Sequence, residues 1–458
     1  MLAYKRNIIE IIVILALIYV NAVGIVGTII CGAVLLFWGV LRVENMFKTF
    51  LITSIVSLLH PDVLSGGLPV LFRYLITFVF LGRLLLHKFK FGELKLQQNT
   101  VRFGGFIGLI LLFSIAGLFP LVSVLKLLLL FVVVFIFFES VIYVDQDLDD
   151  FVLHTFLAIV IGSWFIYDQY VFVEQWDVYQ SGSSGIFSHP QTFGIILAVI
   201  FVYFMVHFID KRKYFFVIMA SLTGGLIILS EARTALLSAV IAILLTYLIF
   251  NRSLIENINR ILKMPGVLVA LIVGLIFIIS YSEVITKGVV EFVKKNQKTG
   301  SVSIIESYNK SRGGLIEKSL TAFSESPLIG SGFGLTFPIE EGRLVRSEWL
   351  WNMPISYSVE PGNLYIAFFA EAGIIGGIAL FILIGFLFWS IYQKRKPILM
   401  AVFIAILLVN LAEACLLAPN GVGGVFIGFI AWAQMKSKEK KSYKKKVSYQ
   451  SIINSDVT

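Results

Sequence analysis

The sequence predicts an all-α polytopic membrane protein, and three observations lead to that prediction. Of the 458 residues, 58% are hydrophobic and only 14% are charged. A soluble globular chain carries roughly a quarter charged residues. The mean hydropathy is +0.91, and apolar runs of about 15–25 residues, long enough to cross a bilayer, recur from end to end. A soluble enzyme with a buried core is therefore strongly disfavoured.

About fourteen runs fit a membrane-spanning helix. The second and third runs leave the count open between about twelve and fourteen, because the second could continue the first as one broken helix and the third could be re-entrant. The predicted runs are 8–22, 23–41, 46–60, 68–87, 104–118, 121–140, 150–170, 190–209, 214–230, 233–250, 265–285, 363–392, 397–416 and 420–435.

Basic residues orient these spans. With a cytoplasmic N-terminus, every short basic connection falls on the cytoplasmic side, as the positive-inside rule requires. Both termini are then cytoplasmic, and a long polar interval lies outside. The predicted parts are N-terminal transmembrane helices at 1–285, an extracytoplasmic loop with short amphipathic helices at 286–361, C-terminal transmembrane helices at 362–435, and a basic cytoplasmic tail at 436–458.

The net charge of +9 comes partly from that tail. Beside a membrane span, a lysine-rich tail is interpreted as an anchor on anionic lipid rather than an arm that binds nucleic acid. Cys31 and Cys415 lie in apolar runs, and the five histidines are scattered without the spacing of metal ligands. The sequence therefore predicts no disulfide, no metal site and no cofactor.

The most distinctive stretch is SRGGLIEKSLTAFSESPLIGSGFG at 311–334. Its apolar spacing predicts a short amphipathic helix from Gly314 to Ser324, which Pro327 ends. The glycines that follow predict a turn whose backbone amides approach a ligand. Arg312 stands just before the helix start, in a position to meet an anion beside the helix N-terminus.

Two short segments bring further polar groups to the outer face. Glu231 and Arg233 lie between two spans with almost no loop. Charged residues at a membrane boundary are costly unless they are paired or functional, so a functional role competes with a simple ion pair or an arginine that reaches lipid phosphate. His189 precedes Pro190 at the start of a span, where it either caps the helix or binds a ligand.

The outer interval and the span after it supply the remaining candidates. Arg343 and Arg346 are candidate phosphate ligands, since arginine recognises phosphate with two parallel hydrogen bonds. Glu360 lies close to the outer membrane boundary, where a partly buried carboxylate makes a suitable general base. Glu371 follows about three helical turns deeper, and an acidic residue inside a span marks a candidate functional site.

Four segments together resemble the O-antigen ligase and O-antigen polymerase (Wzy-type) superfamily of polytopic membrane glycosyltransferases. They are FSHPQTFG at 187–194, SEARTALL at 230–237, the stretch at 311–334, and EPGNLYIAFFAEAGIIG at 360–376. The resemblance covers about 185–420. It implies transfer of a glycan from a polyprenyl-pyrophosphate donor to an acceptor hydroxyl outside the cytoplasmic membrane, without nucleotide sugar or metal.

The resemblance maps the family's motif arginines onto Arg233 and Arg312, which would stabilise the leaving pyrophosphate. Glu360 is the candidate general base. The ligase branch places a His-Asn pair at the start of the span after the loop, whereas this sequence has Gly362-Asn363 there. That departure favours a polymerase of O-antigen, capsule or exopolysaccharide repeats. The substrate-binding candidates are His189, Glu231, Arg343, Arg346, Asn363 and Glu371.

Two alternatives stay open. A ligase would move finished glycan to another acceptor, and a transporter or lipid-linked glycan flippase would also have many spans with charged residues inside. The sequence shows no pair of broken helices at mid-depth, which transporters often use. Expected partners are the polyprenyl-pyrophosphate-linked oligosaccharide and membrane lipid, with a chain-length regulator and a flippase as candidates and no nucleic acid.

Overall fold

A computed structural model describes residues 2–22, 25–59, 68–144, 148–165, 182–250, 313–334, 344–347, 353–357, 362–419 and 421–435. These residues form fourteen α-helices and one β-hairpin. The elements are α1 (Leu2–Ala22), α2 (Ile25–Leu41), α3 (Val43–Val56), α4 (Leu68–Lys90), α5 (Gln98–Ser114), α6 (Pro120–Ser140), α7 (Leu148–Phe165), α8 (Pro190–Lys211), α9 (Tyr214–Leu229), α10 (Arg233–Ile249), α11 (Gly314–Glu325), β1 (Leu344–Ser347), β2 (Met353–Tyr357), α12 (Leu364–Tyr392), α13 (Pro397–Val409) and α14 (Val422–Gln434).

The predicted all-α polytopic fold is confirmed. Each predicted span overlaps one of these helices, except 265–285, which lies outside the described residues. Two predicted ends are corrected: the span at 397–416 is helical only to Val409, and the span at 46–60 only to Val56. By length and composition, three helices among the described residues are long and apolar enough to cross a membrane: Pro120–Tyr143, Pro190–Lys211 and Leu364–Tyr392. Shorter apolar helices accompany them. The interval between α11 and α12 also contains the antiparallel hairpin β1–β2, which the sequence analysis did not predict.

Helix α3 lies at the centre of the bundle. All but two of its 14 residues are buried, and it contacts α2, α4, α6 and α14. Its hydroxyl side chains bond back to its own backbone: Thr53 Oγ1 donates to the Thr49 carbonyl (2.8 Å) and Ser54 Oγ to the Phe50 carbonyl (3.0 Å). These bonds satisfy polar groups that apolar surroundings would leave without water. The threonines and serines of α3 can therefore be buried without leaving their hydroxyl groups unsatisfied.

The short basic connections that the structure describes meet at one end of the bundle, which we call the basic end. Trp432 Nε1 in α14 donates to Asp149 at the start of α7 (2.8 Å), and Lys396 lies 3.6 Å from the other oxygen of that carboxylate. Asn99 in α5 donates to Gln434 (3.2 Å). These contacts join the connections before α5, α7 and α13 to the end of α14.

Buried charges at the basic end are paired with opposite charges. Lys88 Nζ lies 2.7 Å from a Glu139 carboxylate oxygen, and the two side chains are 4% and 0% exposed. Glu10 contacts both Lys48 (2.9 Å) and His154 (2.7 Å). These pairs connect different helices. The contacts of Glu10 hold α1 against α3 and α7, and the pair of Lys88 with Glu139 holds α4 against α6.

Candidate functional site

Helix α12 is broken at Gly373, at the end of the bundle opposite the basic end. Gly373 has φ 65° and ψ −170°, a conformation that is essentially open to glycine alone. The element therefore consists of a first half at 364–372 and a second half at 374–392. The single continuous span predicted at 363–392 is corrected in this respect.

The loop 327–334 fills that break. The Ile374 amide donates to the Pro327 carbonyl (2.8 Å), and the Ser331 amide donates to the Ala370 carbonyl (3.0 Å). In an unbroken helix, the amide of 374 would bond to the carbonyl of 370. The loop thus supplies both partners that the break removes, which buried backbone groups require.

The amides of this glycine-rich turn bind the chain itself. The Gly332 amide donates to the Glu371 carbonyl (2.9 Å), and the Gly334 amide donates to Glu371 Oε2 (3.0 Å). The Phe333 amide donates to Ser114 Oγ (3.3 Å). The expectation that these amides approach a ligand is therefore wrong for these three. The loop acts as a fixed structural plug between α5 and α12.

Two charged side chains hold the end of the plug. Lys126 Nζ in α6 donates to the Gly334 carbonyl (2.6 Å), while the Glu371 carboxylate accepts from the Gly334 amide. The two charges also attract each other. Sequence reasoning selected Glu371 but missed Lys126, although a single cation inside an apolar run is a usable signal.

Arg73 in α4 is a second cation that sequence reasoning missed. It lies near the start of its helix, and its guanidinium carbon is 5.3 Å from the centre of the Tyr74 ring. Its Nε atom is buried and has no hydrogen-bond partner among the described residues. A buried polar atom of this kind is unusual in a folded protein, so Arg73 joins the candidates at this end of the bundle.

Helix α11 packs against α12. The Phe323 ring meets the Phe369 ring edge-on at 6.1 Å, and Ala322 is buried beneath them. The predicted amphipathic helix is confirmed, with its end at Glu325. Because the plug and these contacts fix α11, they also fix where its N-terminus lies. Arg312, the predicted phosphate ligand beside that N-terminus, lies outside the described residues.

A second region at the end of the bundle opposite the basic end is the turn at 230–233. Glu231 adopts φ 54°, a left-handed conformation that costs a non-glycine residue about 1 kcal/mol or more and clusters at functional sites. Ser230 Oγ donates to the Ile227 carbonyl (2.8 Å), and the Arg233 amide donates to the Glu231 carbonyl (3.0 Å). This tight turn places the half-buried Glu231 and Arg233 side by side at the start of α10.

The segment 182–194 packs onto that turn. The Ser183 amide donates to the Leu229 carbonyl (2.7 Å), and Gly194 lies directly against Ala232. His189 caps α8, with Nδ1 accepting from the Gln191 amide (3.1 Å). This bond places the proton of a neutral ring on Nε2. The structure thus brings the His189 segment beside Arg233, and a ligand role for His189 stays a prediction.

Asn363 anchors the start of α12. Its Oδ1 accepts from the amides of Tyr365 (3.0 Å) and Ile366 (3.1 Å), and its Nδ2 donates to the Leu411 carbonyl (2.8 Å). These bonds are those of a helix cap. Its predicted role in substrate binding is not tested by them. Helix α13 contacts α8, α10 and α12, so it joins the turn at 230–233 to the broken helix.

Three of the predicted site residues, Glu360, Arg312 and Arg343, lie outside the described residues. Arg346 lies in β1 at a register shift of the hairpin, and β2 lies against α6, the helix that carries Lys126. Their roles stay predictions. Among the residues that the structure describes, no three His, Cys, Asp or Glu side chains cluster in a way that could hold a metal ion.

Comparison with known families adds evidence that this geometry alone does not supply. Residues 215–381 match the model of the O-antigen ligase family. The match supports the O-antigen ligase and polymerase superfamily. It begins in α9 and ends in α12, so it includes the turn at 230–233, helix α11, the plug and the break at Gly373. The segment at 187–194 lies outside it. No curated protein matches the chain.

The superfamily match supports glycosyl transfer of the O-antigen ligase or polymerase type, and with the apolar helices it supports a membrane protein. Both the turn at 230–233 and the plug with its broken helix contribute to the matched part. Arg233 and Glu371 lie within it and are described, whereas Arg312 and Glu360 lie within it but outside the described residues.

Proposed function

We propose that the protein is a bacterial surface polysaccharide polymerase. It transfers glycan from polyprenyl-pyrophosphate-linked repeat units to an acceptor sugar hydroxyl on the outer face of the cytoplasmic membrane. The observation that carries this proposal is the position of four charged side chains, Lys126, Glu371, Glu231 and Arg233, at the end of the bundle opposite the basic connections. Three of the four lie inside the superfamily match at 215–381.

In the proposed reaction, the acceptor hydroxyl oxygen attacks the anomeric carbon of the donor sugar. The bond from that carbon to the phosphate oxygen breaks, and the polyprenyl pyrophosphate leaves with the bonding electrons. Arg312 and Arg233 stabilise the negative charge that develops on it. Glu360 takes the hydroxyl proton. We infer inversion at the anomeric carbon, which a comparison of product linkage with the donor anomer tests.

The plug fixes the position of the helix that follows Arg312, a residue of the proposed reaction. Positioning contributes strongly to catalysis, because a misplacement of about 1 Å costs about 100-fold in rate. The loop 327–334 bonds to α5, α6 and α12 at once, and α11 directly precedes the loop in the chain. Arg312 therefore precedes a helix whose position the bundle fixes.

The broken helix is the one observation that favours a transporter instead. Discontinuous helices in transporters present their half-helix ends to the substrate. In this chain the ends at the break bind the carbonyls and amides of the plug, including Pro327 and Ser331. The protein itself thus fills the break. This favours a structural role for the break over a role in binding a transported substrate.

A gel of lipid-linked glycan from cells with and without the protein tests the proposed function. A polymerase produces a ladder of repeats that collapses to a single repeat when the protein is absent. Loss of only the final acceptor-linked product, with the lipid-linked ladder intact, would establish a ligase. An unchanged gel would favour transport. A chain-length regulator, if it acts as a partner, sets the modal length of the ladder without abolishing it.

Arg312→Lys tests the phosphate role. Lysine keeps the charge but loses the planar fork that binds two phosphate oxygens, so we expect at least a tenfold loss of elongation, on the scale of a strong charge-assisted pair. Arg102→Lys, at the basic end, is the matched control. Near-full activity of Arg312→Lys in the same gel would remove the bidentate role.

Glu360→Gln tests the general base. A positioned base contributes about 10²–10⁴-fold, so the variant should insert normally and elongate that much more slowly. Glu325→Gln, at the exposed end of α11, is the matched control and should elongate normally. Wild-type elongation by Glu360→Gln would take Glu360 out of the reaction.

A further inference from the structure

The basic end contains a cavity that the proposed reaction does not use. It has a volume of about 480 Å³ and lies between the start of α3 and the end of α4. It is far along the bundle from the plug, since α4 and α6 run from one end to the other. The lining carries four cations, one carboxylate and one imidazole: Arg42, Lys48, Arg83, Lys90, Glu44 and His87.

The net charge of the cavity lining stays positive after its ion pairs are counted. Lys48 Nζ is 2.9 Å from Glu10, so one cation is already neutralised. Arg83 Nε donates to the Val40 carbonyl (3.1 Å), which holds the guanidinium in place without reducing its charge. Three cations therefore face one carboxylate, an arrangement that favours an anion.

Two independent features add hydrogen-bond donors. Helix α3 begins at the cavity, and the Arg42 side chain makes no cap bond there. The first amides of a helix have no acceptor within it and bind anions well. On the opposite wall, Arg83 and Lys90 of α4 contribute guanidinium and ammonium donors. Donors thus converge on the space from both helices.

The surroundings identify the source of the anion. Large apolar side chains are exposed on α2 and α4 close to the cavity: Phe37 (66%), Leu41 (58%), Leu86 (68%) and Phe89 (66%). Such a surface suits acyl chains, which a free phosphate ion lacks. Basic pockets between membrane helices on the cytoplasmic side bind the headgroups of anionic lipids.

We propose that this cavity binds the phosphate headgroup of an anionic phospholipid from the cytoplasmic leaflet. The phosphate lies between the start of α3 and the cations Arg42, Arg83 and Lys90, and the acyl chains lie along α2 and α4. The choice of leaflet rests on the proposed topology. The site does not rest on the glycosyl-transfer reaction, so either can fail without the other.

The test measures binding of phosphatidylglycerol and phosphatidylcholine to the purified full-length protein, by competition with a fluorescent phosphatidylglycerol in detergent. The variant Arg42→Gln with Lys90→Gln removes two exposed cations. Since each cation near an anionic lipid surface contributes about 1 kcal/mol, or about fivefold, we expect about 30-fold weaker binding of phosphatidylglycerol. Lys213→Gln, a basic-end residue away from the cavity, is the matched control and should bind normally.

A second variant changes binding in the other direction. Glu44→Gln removes the one carboxylate of the lining, so phosphatidylglycerol should bind about fivefold more tightly. Equal binding of both lipids by the wild type would overturn the proposal. Competition by inorganic phosphate or glycerol phosphate as strong as that by the lipid would also overturn it, in favour of a site for a soluble anion.

Discussion

The two ends of the bundle use charge in different ways. At the basic end, Lys88 pairs directly with Glu139, and Glu10 pairs with Lys48. At the opposite end, Lys126 and Glu371 both bind the backbone of Gly334 in a loop. Charge at the basic end joins helices to helices, whereas charge at the opposite end joins a loop to a broken helix. We therefore expect substitutions at the basic end to change stability and those at the opposite end to change activity.

The largest effect on activity is expected from Gly373→Ala. A Cβ at this position collides with the Leu328 backbone, and the conformation of Gly373 is one that alanine avoids. The plug would be displaced by an ångström or more, so elongation should fall by at least about 100-fold. The measurement is the glycan ladder per amount of inserted protein.

Gly385→Ala is the matched control for that variant. Gly385 lies in the same helix with nothing within 4 Å of an added Cβ, so its ladder should match that of the wild type. Size-exclusion chromatography of both purified variants separates a displaced plug from a misfolded bundle. A folded Gly373→Ala protein with a normal ladder would contradict the account of the plug.

A large effect on stability is expected at the basic end from Lys88→Met. The variant leaves Glu139, which is fully buried, without its cation, and breaking one side of a buried pair costs about 3–5 kcal/mol. The free energy of unfolding, measured by denaturant titration in detergent, should fall by that amount. Elongation per folded molecule should be unchanged.

The double variant Lys88→Met with Glu139→Gln is the control. It removes both charges and keeps an acceptor for the Gln97 amide, which bonds to Glu139 at 2.8 Å. Most of the lost stability should therefore return. A loss of elongation per folded molecule in either variant would show that the basic end also affects activity, which would contradict the difference between the two ends.

The smallest effect is expected from Lys126→Met. It removes one charge-assisted hydrogen bond to Gly334, worth about 1.5–3 kcal/mol, while the backbone bonds of the plug remain. Amide hydrogen exchange of the loop 327–334 should quicken by roughly tenfold to a hundredfold, as that energy implies. Arg102→Met is the comparison, because Arg102 also contacts α12, through Phe386 at 4.7 Å. It should leave exchange of the loop unchanged.

Sequence reasoning predicted the helices well because their signals are local. Apolar runs gave the spans, and the apolar spacing before Pro327 gave α11 to within one residue of its end. The break in α12 escaped it, because glycines are common in membrane helices and Gly373 looks like its neighbours. The break forms only because a loop distant in sequence fills it, and no local pattern records that pairing.

The candidate site was predicted more unevenly. Glu231 and Arg233 were selected as a membrane-boundary pair, a role that stays a prediction, and the structure adds the left-handed turn that places them. The glycines of the plug were recognised as a tight turn, but their amides bind the chain, since a broken helix offered acceptors that the sequence did not reveal. Lys126 was missed because its partner, Gly334, becomes a neighbour only through the fold.

The most direct test of the central claim is reconstitution of the purified protein in vesicles with a polyprenyl-pyrophosphate-linked repeat unit. The account predicts that each added repeat releases one polyprenyl pyrophosphate, that the product is a ladder, and that Arg312→Ala abolishes both. Movement of the intact donor across the bilayer without release of polyprenyl pyrophosphate would contradict it and establish a transporter.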